Sequence, residues 1–221
     1  PIIILGTESH RLASSKIENI TQNSTIQTMT QTEKYLTLVF SQVETIPRQF
    51  LANPILQEYY SVRSSDTSIY DEYNLRRDAT AALTGAMQGI NLISSITILT
   101  DAKTTLNTSN LVPSELDWDA VRESYWYQQA LESKTGIWID EHAEIDSSNS
   151  SSGNALKNYA FSYVTEYTHV NSGKSLGVVI IDINKREIQD LLGGIQLGES
   201  GEIHLITPSG IDITTIKADE E

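Results

Sequence analysis

The residues best placed to act together chemically are three aromatics and two charges. Trp126, Trp138 and Tyr163 offer large apolar bodies with polar tips, Arg122 a guanidinium and Asp182 a carboxylate. A cation and an anion held apart between dry aromatic walls suit a zwitterion, with guanidinium to carboxylate and carboxylate to ammonium. Each residue also has a plainer use. Arg122 stands beside Asp119 and Glu123 on a helical pattern, where a surface ion pair suffices. Asp182 closes a strand ahead of a helix, where a carboxylate accepts backbone N–H bonds. A single aromatic is more often core than ligand wall.

The run Asp140-Glu141-His142-Ala143-Glu144-Ile145-Asp146 has a metal-like composition. Its oxygens suit Ca²⁺, but the spacing of an EF-hand is absent. As an extension of a strand it would place Asp140, His142, Glu144 and Asp146 on one face. As a solvated acidic loop it would hold nothing, and no metal or cofactor is assigned to it. Catalytic templates fail. Gly173-Lys174-Ser175 ends like a P-loop, but Thr168 stands where the first glycine is required. Gly198-Glu199-Ser200-Gly201 is one residue short of a nucleophile elbow. The four histidines are scattered, so no catalytic residue and no enzyme is expected.

These residues need elements to position them. Tyr125-Trp126-Tyr127 lies in a short helical pattern that Pro113-Ser114-Glu115 begins and Gly136 ends. There Trp126 shares a face with Ala130, and Tyr127 with Leu131. Ile137-Trp138-Ile139 is a β-type run. Upstream, Met29, Leu36, Val43 and Phe50 recur every seven residues with Val39 and Ile46 between them, an apolar stripe on one long helix from about Glu8 to Tyr60. Pro47 is expected to kink or break it, and Asn53-Pro54 to interrupt it before Ile55–Tyr60 resumes a helical turn. A second helix is expected from about Ile69 to Ile90, capped by the Ser64–Ser68 loop, with Ala79, Leu83, Met87 and Ile90 inward. Strands follow at Ser95–Thr100 and Thr104–Thr108, forming a hairpin. After a serine-rich loop up to Gly153, strands at Asn158–Thr168 and Leu176–Ile183 pair antiparallel around the Asn171–Lys174 turn. Phe161, Tyr163 and, if the pleat holds, Tyr159 face the same way. Asn184 caps a last helix, with Glu187 closing a capping box, and that helix ends by Gly193-Gly194. The fold class is α+β: a long N-terminal helix, then a module with an antiparallel sheet and flanking helices.

Three segments carry a family resemblance. Trp126-Tyr127-Gln128-Gln129-Ala130-Leu131, followed by a glycine and a strand, resembles the WYxxAL segment of double Cache (dCache) extracytoplasmic sensor domains. Gly177-Val178-Val179-Ile180-Ile181-Asp182-Ile183 resembles that family's GVVxxDI strand. Gly198 to Ile213 resembles the opening of its second, membrane-proximal module. The resemblance implies a PAS-like ligand-binding module over 61–197, behind a long helix over 1–60 and ahead of the first strands of a second module over 198–221. It implies a small-molecule sensing domain of a bacterial transmembrane chemoreceptor (a methyl-accepting chemotaxis protein) or of a sensor histidine kinase. Such a domain sits outside the cytoplasm on a membrane-anchored parent and forms a homodimer through the N-terminal helix. Ligand-binding residues are then expected among Trp126, Asp182, Arg122, Tyr125, Trp138, Asp140, His142 and Tyr163. Amino-acid-binding members are similar in having Arg two residues before the Trp, where this chain has Ser124. Their Tyr-x-Asp pair falls here on His142 and Glu144. The expected ligand is therefore a small polar molecule, an amino acid, an amine or something sugar-like, and an acidic site with His142 favours an amine.

Composition sets the outer limits. The chain has 221 residues, 39% of them hydrophobic and 20% charged, enough for a real core. A net charge of −14 argues against a nucleic-acid partner and against docking on an anionic membrane surface. There are no cysteines, so disulfides and thiolate chemistry are excluded. Pro1–Gly6 is apolar but too short to span a bilayer. It reads as the tail of a transmembrane helix or as a disordered leader, and the resemblance favours the former. A domain that binds a partner protein through its long helix, with no small ligand, is the competing class.

Overall fold

A computed structural model describes residues 2–61, 68–100, 105–109, 116–148, 159–170 and 172–193, with 204–207, 210 and 212 beyond. The turn residue Asn171, the serine-rich stretch after Ser148, the start of the aromatic helix at 113–115 and most of 198–221 lie outside them.

Helix α1 runs from Ile2 to Leu51 and carries Pro47 inside it. The expected break at Pro47 does not occur: the helix runs on past it to Leu51. Val43, Ile46 and Phe50 on either side are buried, and that packing offsets the missing backbone bond. The break comes at Asn53, where the sequence also puts an interruption ahead of Ile55–Tyr60. Asn53 Oδ1 accepts from the backbone N–H groups of Ile55 (2.9 Å) and Leu56 (3.3 Å) and so starts α2, Pro54–Ser61. Helix α3, Ile69–Met87, is capped by Ser68, whose side chain accepts from the Asp71 backbone N–H. It stops short of the expected Ile90, because Gln88 leaves helical geometry and Gly89 adopts φ +90°.

The sheet has five antiparallel strands in the order β2-β1-β5-β4-β3. They are β1 (Ile93–Thr100), β2 (Leu106–Asn107), β3 (Ile137–Ile139), β4 (Tyr159–Thr168) and β5 (Ser175–Asn184). Strand β5 takes the centre because Val178–Ile183 is buried on both faces. Gly177 at its start has φ +146°, and a Cβ there would run into the Leu99 backbone carbonyl of β1.

Two apolar layers cover the sheet. On one face α1, α2, α3 and the last helix α7 (Lys185–Gly193) pack over Ile96, Ile98, Phe161, Tyr163, Tyr167, Val179, Ile181 and Ile183. Leu36, Val39, Val43, Ile46 and Phe50 of the α1 stripe lie here, whereas Met29 is exposed. On the other face lie α4 (Trp118–Glu123), α5 (Tyr125–Glu132) and α6 (Ala143–Ser148), covering Leu99, Val164, Val178 and Ile180. The single expected aromatic helix is thus two. Ser124 separates them: its hydroxyl donates to the Val121 carbonyl (2.7 Å) and accepts from the Tyr127 N–H (3.4 Å), closing one helix and opening the next. Asn184 caps α7 as expected, its Oδ1 accepting from the N–H groups of Arg186 and Glu187.

Candidate functional site

Strand register brings a line of polar side chains across the α4–α6 face. Asp182 of β5 is paired with Ser95 on β1 and with Ser162 on β4. Both serines donate to its carboxylate, Ser162 to Oδ1 at 2.6 Å and Ser95 to Oδ2 at 2.5 Å. The third partner is His142, just ahead of α6, whose Nε2 lies 3.0 Å from Oδ1. The other ring nitrogen, Nδ1, lies 3.2 Å from Asp146 Oδ1, one helical turn on. His142 is 4% exposed and Asp182 7%, so the pair is cut off from water.

An aromatic slot holds the imidazole. Tyr159 stacks on it, with ring centroids 4.5 Å apart and planes 20° from parallel. Trp126 meets it edge-on at 6.4 Å. The Tyr159 hydroxyl donates to Asp146 Oδ2 (2.6 Å) and accepts from the His142 backbone N–H (3.0 Å). Trp126 Nε1 donates to Glu144 Oε2 at 2.8 Å.

The electrostatics follow from this geometry. Burial by itself would push His142 down, but the Asp182 and Asp146 carboxylates outweigh it and raise the imidazole to about 10. Burial would likewise push Asp182 up. The charge of His142, with the bonds from His142, Ser162 and Ser95, holds it below the usual carboxylate range. At neutral pH the site is therefore an imidazolium clamped between two carboxylates. Such a cluster can hold or exchange a cation; nothing in it is arranged as nucleophile and base.

No protein-family model matches the sequence, and neither does any curated protein. Solved structures do match. The ligand-binding domain of the Campylobacter jejuni chemoreceptor Tlp3 in complex with L-norvaline is 17% identical over 89% of this chain and 69% of its own, with TM-score 0.56. The sensory domain of the same receptor with isoleucine bound is 18% identical over 91% and 72%, with TM-score 0.55. The ligand-binding domain of Mlp24 with asparagine is 15% identical over 90% and 72%, also with TM-score 0.55.

The chain has the fold of a chemoreceptor sensory domain.

At the level of architecture this bears out the double Cache resemblance. Within this sensory-domain fold, the structure brings together Trp126, His142 and Asp182 and places Trp138, Tyr163, Arg122 and Tyr125 elsewhere. Trp138 and Tyr163 lie on the opposite face of the sheet, because residues paired across β3 and β4 must share a face and theirs is the α1 side. There Trp138 packs against Phe40, Phe161 and Tyr163, and its Nε1 donates to Glu44 of α1 at 2.9 Å. The Tyr163 hydroxyl donates to the Thr135 carbonyl. These two rings therefore do not wall the Asp182 site. Arg122 lies over Trp118 (5.8 Å) and pairs with Asp119 at 3.3 Å on the exposed side of α4, apart from Asp182. Tyr125 is 79% exposed. Asp140 is half-buried just past β3.

The acidic run is neither a strand extension nor an open loop. The His142 carbonyl accepts from the N–H groups of Ile145 (2.9 Å) and Asp146 (3.1 Å), which starts α6 and turns Glu144 away from Asp146. Among the described residues no group of side chains is arranged to hold a metal ion. Sequence reasoning missed Ser95, Ser162, Tyr159 and the role of Asp146. The serines carried little signal, since β1 also holds Ser94, Thr97 and Thr100 and β4 also holds Thr165, Glu166 and Thr168. Tyr159 was assigned to the wrong face because a register shift between Tyr159 and Ser162 breaks the pleat.

Proposed function

We propose that this chain is the extracytoplasmic, non-catalytic small-molecule sensing domain of a bacterial transmembrane chemoreceptor. Residues 61–197 form the binding module, with 198–221 beginning a second one. The ligand is a small polar molecule of amino-acid, amine or related chemistry, received on the α5–α6 face beside Trp126 and Asp182. The observation that carries this is the buried Asp182–His142 pair with the half-buried Asp146 beside it. A buried histidine and aspartate, with a half-buried second aspartate beside them, cost free energy that apolar packing would not, and such clusters gather at functional sites. The fold shared with the sensory domains above supports the reading. Those domains hold norvaline, isoleucine and asparagine, all small and all bearing an ammonium group. A homodimer through the N-terminal half of α1 is part of the proposal, supported by the exposed Ile20, Ile26 and Met29 there. Membrane anchoring through the parent protein is likewise part of the proposal; among the described residues no helix is long and apolar enough to cross a membrane.

The test is a thermal-shift screen of the purified domain against amino acids, amines, organic acids and sugars, read alongside tryptophan fluorescence. A true ligand at about 100 times its Kd adds ~2.7 kcal/mol to the folded state, which raises the melting temperature by several degrees. A melting temperature and an emission spectrum unmoved by every class would overturn the proposal.

A further inference from the structure

We infer that His142 is a tethered counter-ion: its imidazolium fills the place beside Asp182 where the cationic group of a ligand would sit, and a small organic cation enters this site by exchange with it. The inference rests on the sensing role proposed above for its biological meaning, though not for its physical test.

Three observations lead to it. First, Asp182 sits mid-sheet with its carboxylate buried, and a carboxylate so placed needs a nearby cation or several hydrogen bonds to stay ionised. Its sheet partners, Ser95 and Ser162, are neutral and fixed at paired ladder positions. The positive charge comes from His142 alone among the contacts described for that carboxylate. Second, His142 does not belong to the sheet. It stands between β3 and the six-residue helix α6, so its side chain can leave without breaking a ladder bond. Behind it would remain a slot with a carboxylate floor, two hydroxyls, and the rings of Tyr159 and Trp126 as walls. Aromatic faces beside a carboxylate suit a compact ammonium or a flat, delocalised cation. Third, Asp146 lies one turn further along the same segment and moves with His142. A displaced imidazolium keeps that carboxylate, which lowers the cost of exchange. The Tyr159 hydroxyl on Asp146 is the latch that must open.

The roles differ in sign. A histidine that contacted the ligand directly would weaken binding when removed, whereas a tethered competitor strengthens it. The experiment uses His142→Ala with imidazole and methylammonium as cationic probes at about pH 6, where imidazole is largely protonated. Pyrazole, a ring of the same size without charge, is the control. Both cations should raise the melting temperature of His142→Ala by about 2–4 °C at several times their Kd. Pyrazole should not, and the wild type should need at least about tenfold more probe for the same shift. Adding Asp182→Asn should remove the response. The inference is overturned if neither cation stabilises His142→Ala, if pyrazole does as well as imidazole, or if the wild type responds at the same concentrations. Should His142→Ala not fold alone, the probes are added during refolding. Recovery of the circular dichroism with imidazole and not with pyrazole is then expected, and no recovery overturns the inference. A responsive His142→Ala beside a wild type silent to the whole ligand panel would keep the tethered counter-ion and remove the sensing role.

Discussion

At the scale of the residue, the behaviour of this domain centres on one buried ion pair. His142 is raised from 6.5 to about 10 in the folded chain, so its stabilisation is complete below pH 6.5 and drains away as the pH climbs toward 10. Asp182 is shifted the other way, so its stabilisation is present above the ordinary carboxylate value and is lost as the pH falls through its depressed one. Denaturant melts across pH should therefore show a plateau between the two ranges and a decline on the alkaline side. His142→Gln should lower the plateau and flatten that alkaline decline; an unchanged slope would mean that the histidine is neutral in the fold. Asp182→Ala leaves the imidazolium without its more deeply buried partner and should cost about 3–5 kcal/mol. Much of this centre was legible in the sequence. An aspartate in an unbroken apolar strand and a tryptophan four residues from an alanine on a helix are local signals. Which other side chains face Asp182 was not legible. That depends on which strands neighbour β5 and in what register, and a slip of one position moves a side chain to the other face.

At the scale of the element, β3 is a short strand with two masters. Its Trp138 is bonded to Glu44 and packed on Phe40 of α1, while the chain immediately beyond it carries His142 to Asp182. The 140–148 segment and the long helix on the far side of the sheet are thereby joined through one short strand. Trp138→Phe removes the bond to Glu44 and should cost about 0.5–1.5 kcal/mol in a denaturant melt. It should leave ligand affinity within about twofold while uncoupling α1 from the site. Isothermal titration together with a spectroscopic label on α1 would measure both, and a large loss of affinity would place Trp138 in the binding site after all. Gly136 sets up the same strand: at φ +80°, a Cβ would strike the ring of Tyr163. Gly136→Ala should therefore destabilise by more than about 1 kcal/mol, the opposite of the usual gain on replacing glycine. The boundaries of α1, α4 and α5 show why element edges were harder to read than element types. Proline was weighed as a breaker at Pro47, where tertiary packing overrides it, while Ser124 did not register as one. Its hydroxyl serves both helix ends, a use of serine that no propensity scale records.

At the scale of the whole molecule, the sheet divides two tasks. One face holds the charged cluster under α5 and α6; the other seats the apolar stripe of α1 from Leu36 onward. The stripe was visible as a seven-residue spacing, but where it stops being covered was not, since coverage depends on how far the sheet reaches. From Ile2 to Leu36 the helix extends about 50 Å at 1.5 Å per residue. That makes α1 a lever with a short, gripped end and a long outer arm. A tilt of a few degrees where Phe40 and Glu44 meet Trp138, well within what side-chain repacking allows, sweeps the far tip through a few ångströms. A small tilt at the gripped end is thus magnified by the length of one helix, with no need for the sheet itself to deform.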